Sequence, residues 1–299
     1  MTGLGLSPIE KPNLMNSIPL HIFLLFSLVF LACKEKEDDD MAPPADGYLL
    51  VKTITYNDVP VDVVIEKPAG NAFDALVVYH GTVTYDSLIL QAAHNVLGVF
   101  KRILDRDDML IVSVAYPEEG LLLGDNIRQA EAGLLWLMHK AGEELGITIN
   151  KVFLAGHSQG GYLVTRLNTM HATNGVIANA PGPLNLVFRC QLEENGHIPR
   201  GIVCALLHDE YGPTSENPDP YFARSLLDFT QGHQADILFV QGLNDSPIQM
   251  YSWPVFRQQI DDCADCAGVQ FLDLAGFGHQ ALFQSPVARQ AFSQFINSR

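Results

Sequence analysis

A single serine lies between closely spaced glycines at the point where an apolar run ends. The run at residues 152–155 is followed by the sequence GHSQG at residues 156–160, and a helical pattern begins directly after it. A G-x-S-x-G sequence between a buried strand and a helix holds the serine hydroxyl at the apex of a tight turn, where the glycines have no Cβ to clash. The free N–H groups of the next helix favour developing negative charge. This pattern predicts that Ser158 is a nucleophile, although a serine at this place could also simply cap the helix.

Two further residues have the types that such a serine needs. A serine hydroxyl is a poor nucleophile unless an imidazole removes its proton, and the imidazole needs a carboxylate to fix its tautomer. Asp245 follows the apolar run at 237–240, and His279 follows another run within FLDLAGFGHQA. Parallel strands end at one edge of a sheet, so we expect Ser158, Asp245 and His279 to meet there. Asp273 is a competing acid, but it lies inside the strand ahead of His279 and is expected to point elsewhere.

Short apolar segments must position these residues. Residues 48–68 alternate β-branched and polar residues around an Asn-Asp turn, which predicts an antiparallel hairpin. Further along, continuous apolar runs predict strands that are buried on both faces of a parallel sheet. These runs occupy residues 75–79, 110–115, 152–155, 176–180, 237–240 and 269–274.

Helical patterns separate the apolar runs. Residues 125–146 carry apolar residues at spacings of three and four, interrupted by Glu131, with Asp125 as the expected N-cap and Gly146 just past the end. Ser285 and Pro286 begin a final helix, as its N-cap and first residue. The repeated alternation of strand and helix predicts an α/β fold with a doubly wound, mostly parallel sheet.

The N-terminal segment has the composition of a targeting signal. The apolar run at residues 18–32 is shorter than the ~20 residues of a membrane-spanning helix, so residues 1–32 are predicted to be a signal peptide. The sequence FLAC resembles a bacterial lipoprotein signal, which implies cleavage before Cys33 and its acylation. Residues 33–47 then form an acidic, proline-containing tether. We therefore expect an exported, membrane-anchored lipoprotein, periplasmic or on the cell surface; the alternative is an ordinary secretory signal with an incidental cysteine.

Four cysteines remain after Cys33, namely Cys190, Cys204, Cys263 and Cys266. An even number in an exported protein predicts disulfides, and proximity favours pairing the first two and the last two. The CADC sequence at 263–266 could instead be a redox pair or half a zinc site. A redox pair would need a strand before the motif and a helix after it, and a zinc site would need a second CxxC. The sequence shows neither, so structural disulfides are favoured.

The composition excludes several classes of protein. Hydrophobic residues make up 47% of the chain and charged residues 17%, which is typical of a globular protein rather than a disordered one. The 34 acidic residues outnumber the 18 basic residues, giving a formal net charge of −16. Such a chain repels phosphate backbones, so we expect no nucleic-acid partner.

Together these motifs, with His80-Gly81 after an apolar run, make residues 48–299 resemble the α/β-hydrolase superfamily. The resemblance implies an eight-stranded, mostly parallel sheet with helices on both faces, and no metal or organic cofactor. It also implies an oxyanion hole formed by the backbone N–H groups of Gln159 and Thr82. The irregular residues 181–236, which include a helical pattern at 221–229, are then a candidate small cap over the site.

The resemblance implies a serine hydrolase that cleaves carboxylic esters through an acyl-enzyme intermediate. The expected substrate is a small-molecule or polymer-derived ester, reached while the protein is held at the membrane by its lipid anchor. Aromatic residues of the cap, with Tyr251 and Trp253, could line an acyl or aryl pocket or could be hydrophobic packing. Two alternatives remain open: a peptidase of the same fold, and a non-catalytic, surface-tethered binding protein.

Overall fold

The structure is a computed structural model that describes residues 46–116 and 120–299. The predicted signal peptide, Cys33 and the tether as far as residue 45 lie outside these residues. The strands are β1 (Tyr48–Tyr56), β2 (Val59–Lys67), β3 (Ala72–Tyr79), β4 (Leu110–Ala115), β5 (Thr148–His157), β6 (Gly175–Asn179), β7 (Ile237–Gly242) and β8 (Val269–Leu274). The helices are α1 (Asp86–Ile103), α2 (Ile127–His139), α3 (Ala141–Leu145), α4 (Gln159–Met170), α5 (Leu186–Glu194), α6 (Ile202–Tyr211), α7 (Asp219–Phe222), α8 (Pro247–Asp261), α9 (Ala281–Gln284) and α10 (Pro286–Asn297).

All eight strands form one sheet in the order β1-β2-β4-β3-β5-β6-β7-β8. Strand β2 is antiparallel to both β1 and β4, and every other neighbouring pair is parallel. The β1–β2 hairpin turns at Asn57 and Asp58, which both have positive φ, a conformation that Asn and Asp tolerate better than most residues. The predicted hairpin and the mostly parallel sheet are therefore confirmed.

Helices cover both faces of the sheet. Alternate residues of a strand point to opposite faces, and within β5 Leu154 packs into one core while Phe153 and Ala155 pack into the other. The first core contains the apolar faces of α2, α4 and α8, and the second contains those of α1 and α10. Because the central strands are buried on both sides, they consist of the continuous apolar runs that the sequence shows.

The prediction of one continuous helix over residues 125–146 is wrong. The helix breaks at Lys140 into α2 and α3, and the N-cap position is occupied by Asn126 rather than Asp125, whose carboxylate pairs with Arg224 at 3.2 Å. Glu131 interrupts the apolar stripe because its carboxylate bonds His171 Nε2 at 2.7 Å. Gly146 ends α3 in the left-handed conformation, as expected.

Two other helical predictions differ in outcome. The final helix α10 begins as expected, with the Ser285 hydroxyl accepting the Ala288 N–H and Pro286 at the first position. The helical pattern at 221–229 forms only the last residues of α7 and a 3₁₀ turn at Leu226–Asp228. The backbone turns back there, and the Leu226 and Leu227 N–H groups donate to the carbonyls of residues 183 and 184. Bonds to a distant segment therefore replace a continuous helix.

Disulfides join Cys190 to Cys204 and Cys263 to Cys266, the pairing that proximity favours. The first bond links α5 to α6 within residues 181–236 and is buried, whereas the second closes a short loop at the surface. Within the described ranges, no helix combines the length and apolar character that crossing a membrane requires.

Three largely buried histidines make the stability of the fold depend on pH. Burial lowers the pKa of His80, His157 and His233 to about 4, and the neighbouring His279 adds to the effect at His157. The unfolded chain takes up protons near the ordinary histidine pKa of about 6.5, but the folded chain does so only near pH 4. Unfolding therefore takes up as many as three protons, and stability must fall as the pH is lowered between these values.

We expect the free energy of unfolding to decrease steadily from about pH 7 to about pH 5 in urea titrations. The variant His233→Gln removes one of the three groups, so its dependence on pH should be shallower than that of the wild type. A free energy of unfolding that stays constant over this range would contradict the assignment of neutral, buried histidines.

Candidate active site

Ser158 occupies a strained turn between β5 and α4. Its φ is 58° and its ψ is −117°, a conformation that residues other than glycine rarely adopt. A Cβ on Gly156 would lie 2.1 Å from the carbonyl oxygen of Gly160, and one on Gly160 would lie 2.0 Å from that of Tyr79. No side chain fits in either gap. The two glycines are therefore required for the turn to pack against β3 while it presents Ser158.

His279 and Asp245 form a hydrogen-bonded pair beside this turn. His279 Nδ1 lies 2.8 Å from Asp245 Oδ2, and the Asp245 side chain is only 5% exposed. The carboxylate also accepts the Ser246 N–H at 2.6 Å and Gln241 Nε2 at 3.0 Å. Burial alone would raise the pKa of Asp245, but these hydrogen bonds outweigh it and lower the pKa. The aspartate is thus ionised at neutral pH and bonded to the imidazole.

Gly242 allows the two loops that carry this pair to touch. A Cβ on Gly242 would lie 2.2 Å from the carbonyl oxygen of Gly278, next to His279. The Asn244 N–H also donates to the Phe277 carbonyl at 2.8 Å. The sequence analysis did not identify Gly242, and its only sequence signal is a glycine at the end of a buried strand.

We expect Gly242→Ala to reduce kcat/KM for a neutral ester by about 100-fold, because displacing a catalytic group by ~1 Å has an effect of that order. The added methyl group must push the His279 loop outward, so the free energy of unfolding should fall as well. In the control Gly98→Ala, the new methyl group makes only an ordinary contact, 3.5 Å from Arg102 Nη1. Equal activities of the two variants would show that the approach of the loops does not matter.

The three predicted catalytic residues line one pocket of about 170 Å³, together with Thr82. Ser158 and His279 are not hydrogen-bonded to each other in this structure, and such bonds commonly tighten only when a substrate binds. Further pocket residues come from α5, α6, α8 and the segment after β6, including Leu184, Arg189, Val203 and Ile248. Residues of the predicted cap region therefore form part of the wall.

The predicted oxyanion donors lie on either side of Ser158. Gln159 is the first residue of α4, where a backbone N–H has no partner within its own helix. Thr82 follows Gly81, and a Cβ on Gly81 would lie 3.5 Å from Ser158 Cβ. The backbone after β3 therefore passes directly beside the serine. Both residues therefore lie next to Ser158, Gln159 along the chain and Thr82 through Gly81.

Asp273 and the two aromatic residues near Asp245 have other surroundings. Asp273 accepts Trp253 Nε1 at 3.0 Å and forms an ion pair with Arg257, so it does not orient His279. Trp253 is 2% exposed within the first core, which makes it packing rather than pocket lining. Tyr251 is exposed and stacks on Phe188 of α5 at 4.2 Å between ring centroids.

A hydrogen-bonded chain that the sequence analysis missed connects β6 to the loop of His279. Asn179 Oδ1 accepts the Leu282 N–H, so Asn179 Nδ2 faces His157 Nδ1 at 2.8 Å and donates to it. The ring proton of the neutral His157 is then on Nε2, which lies 2.9 Å from Gln280 Nε2. Because both of these groups are donors, a hydrogen bond forms here when the Gln280 amide turns to present its oxygen. His157 and Gln280 are the chain neighbours of Ser158 and His279. The network therefore fixes the nucleophile and the base relative to each other.

Potential metal ligands come together at one place in the described residues, at Cys263, Asp265 and Cys266. The two sulfurs there are joined in a disulfide, so neither can act as a thiolate ligand. The group lies in the loop between α8 and β8, away from Ser158.

The architecture is the α/β-hydrolase fold, and solved structures share it. Est1E from Butyrivibrio proteoclasticus is 13% identical, with 83% of this chain and 98% of that chain covered and a TM-score of 0.58. A hyperthermophilic esterase from Pyrobaculum calidifontis is 17% identical, with coverages of 85% and 84% and a TM-score of 0.61. The acylaminoacyl peptidase of Pyrococcus horikoshii is 15% identical, with coverages of 84% and 42% and a TM-score of 0.59. No protein-family model and no curated protein matches the sequence.

Proposed function

We propose that the protein is a serine hydrolase that cleaves carboxylic esters. The observation that carries this proposal is the constellation itself: a serine held at positive φ shares a pocket with a histidine that is hydrogen-bonded to a buried, ionised aspartate. The esterases among the structures of similar fold support the ester as the substrate class.

The reaction follows from the roles of these groups. Ser158 Oγ attacks the ester carbonyl carbon while His279 Nε2 takes its proton, and Asp245 holds the imidazole in the required tautomer and stabilises the imidazolium. The N–H groups of Gln159 and Thr82 donate to the oxyanion. The imidazolium then protonates the departing alkoxide. Water, deprotonated by the same histidine, releases the acid from the acyl-enzyme.

A peptidase is the second candidate, because a peptidase is among the structures of similar fold. This chain spans only 42% of that protein's length. The amine that leaves an amide must be protonated as it departs, which is less critical for the alkoxide of an ester. The same three residues would catalyse both reactions.

The test is hydrolysis of p-nitrophenyl esters, from acetate to long-chain acids, by the purified full-length protein, with acylated amino-acid p-nitroanilides in parallel. Turnover of esters with little turnover of the anilides supports the esterase. Preferential turnover of the anilides favours the peptidase. A correctly folded protein that cleaves neither series would favour a hydrolase of narrow specificity or a binding protein.

We further propose that the protein is a lipoprotein anchored through Cys33. The support is the apolar run at 18–32, the FLAC sequence and the acidic tether after it. The proposal predicts incorporation of labelled palmitate into the wild type and its loss in Cys33→Ser, with release of that variant from the membrane fraction. Labelling that persists in the variant would contradict it.

A further inference from the structure

A second, larger cavity of about 640 Å³ begins beside the catalytic residues. Thr82 lines both this cavity and the smaller pocket that contains Ser158. The end of the larger cavity nearest Ser158 is formed by Gly81 and by the chain neighbours of the catalytic residues, His157 and Gln280. The cavity therefore adjoins the point at which an ester carbonyl would be attacked.

Apolar side chains form much of the cavity wall between its polar ends. Val96, Val99 and Ile103 of α1 line one side, and Phe283 of α9 lines the other. The ring of Phe283 packs edge-on against His157, with 5.3 Å between ring centroids. Beyond the polar end formed by His157 and Gln280, an aliphatic chain attached to an ester at Ser158 would contact these apolar side chains.

Two arginines stand where α1 and α10 meet. The Ser293 hydroxyl of α10 donates to the Ile103 carbonyl at the end of α1, at 3.3 Å. Arg102 immediately precedes Ile103, and Arg289 lies one turn before Ser293. Both arginines are therefore close to the point where α1 and α10 touch. Both line the cavity. Arg102 Nη1 lies 3.5 Å from the Cβ position of Gly98, so the guanidinium extends back along α1, toward the catalytic end.

Neither arginine has an ionic or hydrogen-bonded partner within the described residues. The described residues include ten arginines, and six of them do have such partners: Arg106, Arg166, Arg189, Arg224, Arg257 and Arg299. No carboxylate lines the cavity among the described residues, although the protein carries a formal charge of −16. Both arginine side chains are exposed, and in so acidic a protein two unpaired guanidinium groups beside one cavity offer an anion two positive charges.

We propose that this cavity binds one half of the substrate, and that this half is an aliphatic chain that ends in a carboxylate. The inference rests on the proposed ester hydrolysis and specifies its substrate class. Guanidinium groups form strong, charge-assisted hydrogen bonds with carboxylates, and the apolar wall accommodates the methylene groups between the carboxylate and the ester. Ala92 lines the cavity, and the Arg102 guanidinium lies near Gly98, six residues further along α1, so the two are about 9 Å apart along the helix. A chain of about six methylene groups matches that span.

The kinetic test compares esters that differ only in a terminal methyl or carboxylate group. On the acyl side these are p-nitrophenyl heptanoate and the mono-p-nitrophenyl ester of pimelic acid. On the alcohol side they are heptyl acetate and 7-acetoxyheptanoate, followed by titration of the released acid. The measured quantity is the ratio of kcat/KM for the anionic ester to kcat/KM for its neutral partner.

In one of the two series we expect this ratio to exceed ten in the wild type and to fall at least tenfold in Arg102→Gln/Arg289→Gln. The series that responds identifies which half of the ester occupies the cavity. The control is Arg128→Gln, since Arg128 is also exposed and unpaired but lies outside the cavity; its ratio should stay that of the wild type. Added salt should lower the wild-type ratio. Ratios in the double variant equal to those of the wild type in both series would overturn the proposal.

A binding measurement separates this inference from the proposed function. In the Ser158→Ala background, calorimetry should detect heptanoate binding more tightly than heptan-1-ol, and the two arginine substitutions should weaken heptanoate binding at least tenfold. Arginine-dependent binding in a protein that hydrolyses no ester would retain the cavity and reject the esterase. Ester hydrolysis without arginine-dependent binding or discrimination would retain the esterase and reject the cavity as an anion site.

Discussion

Ser158→Ala is expected to lower kcat for p-nitrophenyl ester hydrolysis by about 10⁴- to 10⁶-fold, the range seen when a catalytic nucleophile is removed. Only the hydroxyl is lost, so the far-ultraviolet circular dichroism and the midpoint of urea unfolding should change little. A fluorophosphonate probe should label the wild type at Ser158, as mapped by peptide mass spectrometry, and should not label the variant.

The matched control for this substitution is Ser87→Ala. Ser87 is exposed in the first turn of α1 and lines neither of the two cavities. Its variant should retain wild-type activity and labelling. If Ser158→Ala kept more than about a tenth of the wild-type kcat, another nucleophile would have to be sought and the proposed function would fail.

Asp245→Asn is expected to lower kcat by about 10⁴-fold, because an amide in place of the carboxylate stabilises the wrong tautomer of the imidazole. The carboxylate lies 2.8 Å from His279 Nδ1 and is 5% exposed, so the substituted amide must occupy the same place against the imidazole. The measurement is the steady-state rate with a p-nitrophenyl ester at neutral pH.

Asp273→Asn tests the competing assignment with the same chemical change. Asp273 bonds Trp253 and Arg257, so its variant should lose stability through the weakened ion pair while kcat changes only a few-fold. A larger loss of kcat in Asp273→Asn than in Asp245→Asn would reverse the assignment of the acid.

The mostly parallel sheet and the approach of Asp245 to His279 could be predicted because the sequence carries them locally. Each candidate catalytic residue directly follows an apolar run, and in a parallel sheet the ends of such runs share an edge. The glycines around Ser158 are also local, since they serve a turn of five residues. Where a feature depends on the geometry of one strand end, the sequence is sufficient to predict it.

The Asn179–His157–Gln280 chain and the large cavity could not be predicted in this way. Asn179 contributes through side-chain bonds to residues 22 and 103 positions away, and an asparagine at a strand end has no distinctive spacing. Arg102 and Arg289 come together only because α1 and α10 pack on the same face of the sheet. The break at Lys140 was missed because the apolar period continues through it, so periodicity alone does not reveal it.

The backbone at Ser158 also has a consequence for how the sequence is constrained during evolution. Glycine would adopt a φ of 58° without strain, so a glycine at this position should make the folded protein more stable. The serine can persist only through selection for its hydroxyl, because selection for stability alone would favour its loss. The most strained of the candidate catalytic positions is therefore one where reactivity and folding stability oppose each other, and the rigid packing of Gly156 and Gly160 against neighbouring carbonyls holds the reactive conformation in place.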